Sequence, residues 1–583
     1  MFYNKRISLS KRTMLQKCQF TDLGDFFNNF LGLVMHHFKL APSWLRFLIV
    51  VLLAIGIFFR FANLERKVYW HDETYTSLRI SGYTAQEVKQ EIFNNRVIPG
   101  TYFNKYQSLN SEKNLGDTIK SLAIEDPQHP PLYYIIARFW VLIFGSSITA
   151  IRSLSAFISL LVFPCVYWLC KELFRVPLSV PFIAIALVAI SPIHLVYAQE
   201  AREYMLWTVT ILLSSASLLR AIRLESKSKA VGKKQQAPNP IFVWGIYAAT
   251  LALSLYTFLL TGFVAVAHAI YLFTIAKFKF TKTVKAYLFA SLAGFLAFMP
   301  WILVVLFNFS QLDSATSWTK MPINFINLIP AWLIQLSHIF FDLNFGFENP
   351  LSYLITPVIL IFVGYAIYFL YRTTNKKSWL FIVLLIAVPA LPLMLADLLF
   401  GGIRSLSDRY LLPSYLGIQI AVAYLLATQI YSGNLARRQI WQMITVLIIT
   451  CGVISCGVSS QAETWWSKVI SYGNAQVATI VNQASRPLLI SDSFGINYGN
   501  VFSLSYLLEP KVRFLLLKEQ KIPKISNQFT DVFFLNPAND FRKKIETNYK
   551  SKLNVVYQDN FYSLGKLAKP RNLRRRNISV SNK

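Results

Sequence analysis

Four short stretches of the chain hold the residue types that could do chemistry. The first is Trp70-His71-Asp72-Glu73, an adjacent acidic pair beside a histidine. A carboxylate there could take a proton from a hydroxyl or an amine. It could equally cap a helix start, because Asp accepts backbone N–H bonds. The second is Asp126-Pro127-Gln128-His129-Pro130-Pro131-Leu132-Tyr133-Tyr134. Its prolines stiffen the chain and then begin a helix, and taken alone it reads as a helix start with a capping Asp. The third, Gln199-Glu200-Ala201-Arg202-Glu203-Tyr204, packs three charges between two apolar runs. Charges at such depth face a cavity or one another, so a buried Glu–Arg pair is the plain alternative. The fourth, Arg404-Ser405-Leu406-Ser407-Asp408-Arg409-Tyr410, offers guanidinium groups. Their planar fork suits bidentate recognition of phosphate, or anchors a helix at a membrane surface.

The elements that must position these residues are membrane spans. Of 583 residues, 54% are hydrophobic, and long apolar stretches recur throughout. Tyr287–Phe307, Trp379–Phe400 and Ile440–Val458 are clear cases. Each is long enough to cross a hydrocarbon core of about 30 Å at roughly 1.5 Å per residue. No short cleavable signal is evident, since the first such stretch spans in its own right. The formal charge of +30 sits largely in short loops between apolar segments. That is the positive-inside pattern and not the signature of a nucleic-acid partner. Placing the basic loops in the cytoplasm predicts eleven spans, near 44–62, 151–170, 179–198, 204–222, 241–257, 259–276, 286–307, 351–371, 379–400, 410–430 and 440–458. An odd number puts the N-terminus in the cytoplasm and the C-terminus outside. Leu132–Gly145 and Leu328–Phe345 fit poorly and read as interfacial or half-inserted helices. If both span, the count is thirteen and the ends do not move.

This map divides the chain into a basic cytoplasmic segment 1–43, a membrane domain 44–458 with a first outer loop 65–130, and an outer C-terminal region 459–583. Within the last, Pro487–Asp492, Val512–Leu517, Asp531–Leu535 and Leu553–Tyr557 read as short strands of a small α/β unit. It has no Gly-rich phosphate loop, so no chemistry is assigned to it. Its basic tail from Lys566 to Lys583 suits contact with lipid headgroups. The five cysteines, Cys18, Cys165, Cys170, Cys451 and Cys456, have no zinc spacing and read as packing. Arg152, Tyr256 and His268 are likewise assigned to packing or anchoring.

All four stretches fall on the outer face, at one depth. A carboxylate, a histidine and two arginine sites at a membrane-level cavity suit displacement of a lipid phosphate. The carboxylate would deprotonate an acceptor, and the arginines would stabilise charge on the leaving phosphate. A divalent metal held by carboxylates could do the arginines' work. Two other readings use the same residues: a transporter or flippase of lipid-linked saccharides, and a non-catalytic membrane protein of envelope assembly. A transporter would distribute charge through the depth of several spans. Here the charges gather at one face.

The motifs Asp-Glu after the first span, His-Pro-Pro-Leu-Tyr-Tyr, Gln-Glu-Ala-Arg-x-Tyr and Asp-Arg-Tyr-Leu-Leu-Pro resemble those of family 39 glycosyltransferases. That family has the GT-C fold and includes protein O-mannosyltransferases and lipid A aminoarabinose transferases; the resemblance here is to its bacterial members. It is best over residues 44–225, with support near 400–430. It implies a polytopic α-helical, GT-C-like protein of about 11–13 transmembrane helices in the cell membrane. The implied reaction is inverting transfer of a sugar from a polyprenyl-phosphate carrier to an extracytoplasmic lipid, glycan or protein. Under the resemblance Asp72 is the catalytic base. Glu73 is its partner, orienting the acceptor or joining Asp72 in holding magnesium or manganese. Glu200 and Arg202 line the carrier-phosphate site, Arg409 binds that phosphate, and His129 shapes the site. The chain lacks the large inserted β-rich outer domain of the O-mannosyltransferase branch.

Overall fold

The computed structural model describes residues 43–230, 239–346 and 349–568. The expected N-terminal basic segment up to residue 42, positions 231–234 of the basic loop after Arg220, the tail beyond residue 568 and Cys18 lie outside them. Among the described residues eight helices are long and apolar enough to cross a membrane, and the chain is a multi-pass membrane protein. The pair Val180–Ala189 and Pro192–Ala198, bent by 59°, makes a ninth when counted as one broken span. Pro192 lacks an amide hydrogen and disfavours the helical conformation of the residue before it, so the bend falls at Ser191.

Nine of the eleven expected segments are accounted for in this way. The other two form helices Pro240–Leu255 and Thr261–Ile275, of 16 and 15 residues. Each is shorter than the roughly 20 residues a perpendicular crossing requires. The two doubtful stretches become helices Leu132–Phe144 and Phe325–Ser337, 13 residues each. At about 20 Å, neither reaches across a hydrocarbon core alone. A count of thirteen therefore has no support among the described residues.

Two spans form the centre of the bundle. Asp408–Gln429 is buried over 94% of its apolar stretch and Tyr204–Ser226 over 89%, against 67% for Ile148–Leu173 and 22–28% for the other five. These two helices begin at the third and fourth chemical stretches. Arg202 and Glu203 thus stand immediately before one of the two most buried spans, and Arg409 in the first turn of the other.

A six-stranded sheet covers the end of the bundle that carries these residues. Its order is β1-β3-β2-β4-β6-β5, with β1 Val97–Pro99, β2 Pro487–Asp492, β3 Arg513–Leu517, β4 Asp531–Leu535, β5 Leu553–Gln558 and β6 Ser563–Leu567. The three central strands are parallel and the others pair antiparallel. Alternation along β2 sorts its side chains between two cores. Leu489 packs with Val88, Phe103 and Tyr106 of the first outer loop, while Leu488 and Ile490 pack with Phe541 and Ile545 of helix Asn539–Tyr549. Four strands lie where the sequence placed them. β1 and β6 carry too little apolar run to be read; their pairing with β3 and β4 makes them strands. Through β1 the first outer loop and the C-terminal region share one sheet.

Candidate active site

The site is built on helix His71–Ser81, whose first turn carries Asp72 and Glu73. Two carboxylates at a helix N-terminus complement its dipole. Glu73 also accepts the Trp70 amide at 3.4 Å, which fixes the start of the helix. Gly82, at φ 87°, supplies the left-handed residue that ends it. Because successive helical residues diverge, the two acids face different surroundings.

Glu73 points inward and is fully buried. Arg152 grips it bidentately, Nε to Oε1 at 2.7 Å and Nη2 to Oε2 at 2.6 Å. The Ala201 amide donates to Oε1 at 2.9 Å, and Lys468 stands 3.3 Å from Oε2. Burial pushes the Glu73 carboxyl upward, but Arg152 and Lys468 outweigh it and hold it well below the usual carboxylate range. Arg152 also donates to the carbonyls of Leu64, Lys67 and Val68, tying the connection after the first span to helix His71–Ser81.

Asp72 turns to Arg409 instead and keeps 23% of its side chain exposed. Arg409 donates from Nη1 to Oδ2 at 2.7 Å. Burial opposes ionisation here too, yet the charges of Arg409 and Arg202 prevail and the carboxyl sits at about 2. Four aromatic rings flank the Arg409 guanidinium within 6 Å: Trp70, Tyr204, Trp318 and Tyr410. Cation–π contact of this kind holds a guanidinium in place without occupying its hydrogen-bonding edge.

Arg202 joins this pair to the second stretch. Its Nη1 donates to the Asp72 carbonyl at 3.3 Å, to Thr76 Oγ1 at 3.1 Å and to Tyr134 OH at 3.3 Å. Its Nη2 lies 3.2 Å from His129 Nε2 and 3.3 Å from Glu203 Oε1. His129 Nδ1 is 2.8 Å from that same oxygen. Burial raises the Glu203 carboxyl, but Arg202 and His129 bring it to about 2. The loop carrying His129 is pinned from behind, where the Trp301 indole donates to the Pro127 carbonyl at 3.1 Å.

Glu200 lies elsewhere. It is buried against Lys468 at 2.9 Å and Ser467 at 3.0 Å, and burial raises its carboxyl above the ordinary range. Lys67 stands close by with Nζ on Gln199 Oε1 at 2.9 Å. Burial and the neighbouring cations Lys468 and Arg152 pull its ammonium down to about 7.

This fold has a counterpart among solved structures. The apo crystal structure of ArnT from Cupriavidus metallidurans matches with a TM-score of 0.50 at 10% identity, over 91% of this chain and 99% of that one. The chain shares ArnT's fold. A second ArnT structure, bound to undecaprenyl phosphate, matches with a TM-score of 0.49 at 12% identity, over 91% of this chain and 100% of that one. The oligosaccharyltransferase of Archaeoglobus fulgidus, tethered to an acceptor peptide, matches at 0.48 and 13%, over 87% of this chain and 68% of that one. No protein-family model matches the sequence, and no curated protein matches it. The likeness to ArnT is one of architecture, the GT-C fold that the motifs resemble.

Of the six residues singled out in the sequence, the structure gathers Asp72, Arg409, Arg202 and His129 into one chain of contacts. Glu73 and Glu200 form a second, wholly buried cluster behind it. The two acids of the first stretch do not share a face: Asp72 takes Arg409, while both Glu73 oxygens are occupied by Arg152, Lys468 and the Ala201 amide. That donor set does not fit a divalent ion held jointly by Asp72 and Glu73. Among the described residues, no group of three or more His, Cys, Asp or Glu side chains could hold a metal.

Sequence reasoning missed Arg152, Lys468, Glu203 and Trp318 as site residues. A lone arginine within an apolar helix was a readable signal for Arg152. Lys468 and Trp318 lie in polar connections with no local pattern. The large apolar groove of about 380 Å³, lined by Trp44, Ile49, Leu52, Ile183, Leu426 and Ile449, lies at the opposite end of the bundle.

Proposed function

We propose that this chain is an inverting glycosyltransferase that moves a sugar from a polyprenyl-phosphate carrier to an acceptor on the outer face of the cell membrane. The observation that carries the reading is the Asp72–Arg409 pair at 2.7 Å. It sets a partly open carboxylate against a guanidinium caged by four aromatic rings. A purely structural ion pair in this position has no use for an exposed carboxylate edge. The motif resemblance and the ArnT-like fold point the same way.

In this reading the acceptor hydroxyl or amine gives its proton to Asp72 as its oxygen or nitrogen bonds to the anomeric carbon. The bond from that carbon to the carrier phosphate breaks on the opposite face, which inverts the centre. Arg409, supported by Arg202, receives the charge that grows on the departing phosphate. Glu73, held by Arg152 and Lys468, fixes the turn that carries Asp72 and stays out of contact with substrate. His129 and Glu203 orient Arg202. The acceptor is a lipid, a glycan or a protein. The outer placement of the site follows from a cytoplasmic N-terminus, a membrane domain over 44–458 and an outer region over 459–583, which belong to the proposal.

The test is a transfer assay on purified protein, with labelled polyprenyl-phosphate sugars and an envelope acceptor fraction. Wild-type protein is expected to transfer label, and Asp72→Asn to insert and fold normally without doing so. Normal transfer by Asp72→Asn would sink the assignment of the base.

A further inference from the structure

We propose that Lys468, supplied by the segment that joins the last membrane helix to the outer sheet, is a positioning residue for Asp72. The C-terminal region would thereby complete the catalytic centre. The inference rests on Asp72 being the base.

Lys468 is 1% exposed, with Nζ 2.9 Å from Glu200 Oε1 and 3.3 Å from Glu73 Oε2. The same ammonium lies 5.7 Å from the Trp70 ring. It therefore touches residues on both sides of Asp72 in the chain without touching Asp72 itself. Glu200 has no other ionic partner among the described residues. A buried carboxylate without one takes up a proton or moves.

The rest of the segment is tied at each step. The indoles of Trp465 and Trp466 donate to Asp342 Oδ2 at 2.8 and 2.7 Å. Ser467 donates to Glu200 at 3.0 Å. Ser471 Oγ accepts the His71 amide at 3.0 Å and donates to Asn500 of the outer sheet's helix Asn497–Ser505 at 2.7 Å. Between these contacts Val469 sits at φ 37°, ψ −107° with its side chain 42% exposed. A β-branched residue at positive φ is strained, and such strain persists only where the surroundings over-determine it. Burial of the valine does not hold it there. What is held are its neighbours: Lys468 turned toward Glu73 and Glu200, and Ser471 placed on the first amide of the catalytic helix.

The experiment compares Lys468→Met, Lys468→Arg and the double variant Lys468→Met/Glu200→Gln, all full-length, with a donor that wild-type protein uses. Misplacing a catalytic group by about 1 Å costs on the order of 100-fold, so Lys468→Met should lose about that much in kcat with donor KM within about threefold. Lys468→Arg should recover most of the rate. The double variant, freed of the unpaired acid, should regain wild-type thermal stability while staying slow. Wild-type kcat in Lys468→Met overturns the proposal, as does a double variant that regains rate together with stability. If wild-type protein transfers no sugar from any donor, the functional reading itself fails and takes this inference with it.

Discussion

Arg409 and Asp72 lie 337 positions apart in the chain and meet at 2.7 Å. The contact suppresses the basicity of the carboxylate, because a group held at about 2 is a weak proton acceptor. A phosphate that engages Arg409 would free Oδ2 and strengthen Asp72 when a donor is present. The same guanidinium would then serve both halves of the reaction, holding the base in check and later holding the leaving group.

Arg409→Gln should therefore do two things. Loss of the cation raises the Asp72 carboxyl, so its titration moves to higher pH, and the acidic limb of kcat/KM moves with it. Loss of the phosphate ligand should cost about 100- to 1000-fold in kcat. Both are read from pH–rate profiles of kcat/KM and kcat against wild type. An unchanged acidic limb would show that Arg409 does not govern Asp72.

Arg152→Met leaves Glu73 buried with only part of its ionic support. Breaking a buried pair on one side typically costs about 3–5 kcal/mol, so the variant should melt well below wild type in detergent. Arg152→Met/Glu73→Gln should recover much of that loss, because the uncompensated charge is gone. Thermal unfolding of the three proteins at one pH decides the matter.

Lys67 makes stability depend on pH in a defined direction. Its ammonium sits at about 7 in the folded chain against an ordinary value of 10.5. Between those values the unfolded chain binds a proton that the folded chain does not, so stability rises with pH by up to ~1.4 kcal/mol per unit. Below pH 7 the penalty is complete and constant. Lys67→Met should thus gain most over wild type near pH 6 and lose its advantage toward pH 10, in melting curves taken across that range. A flat difference would refute the assignment.

Gly499→Ala tests the contact between the outer sheet and the catalytic helix. Alanine inside an exposed helix usually stabilises by about 1 kcal/mol over glycine. Here the added carbon would stand 2.0 Å from His71 Nδ1, closer than any real contact. The sign should reverse: lower stability, and slower transfer as His71 and the turn holding Asp72 are pushed aside. The paired readout is melting temperature and kcat.

Much of this arrangement was legible before any coordinates. Apolar runs with basic connections announce their spans because the bilayer leaves few alternatives. The Asp72, Arg202, His129 and Arg409 motifs stand at span ends where charge is costly. What the sequence could not show is how the acids divide. Asp72 and Glu73 are adjacent and chemically alike, and only the helix turn between them sends one to Arg409 and the other to Arg152. The resemblance implied one site for Glu200 and Arg202, but the partner that Glu200 meets, Lys468, arrives from a polar linker with no local pattern. β1 was unreadable for a similar reason. Three residues ending in proline become a strand only because β3 is beside them.

That last pairing sets an order of biogenesis. The Asn95 side chain accepts from the Lys518 amide across 423 positions of chain, and Val97 has no strand partner until Leu515 has been made. During synthesis the first outer loop must wait, its sheet edge uncovered, while every membrane helix is inserted. A chain released before Leu515 is made would thus carry every described membrane helix and still lack the strand that receives β1.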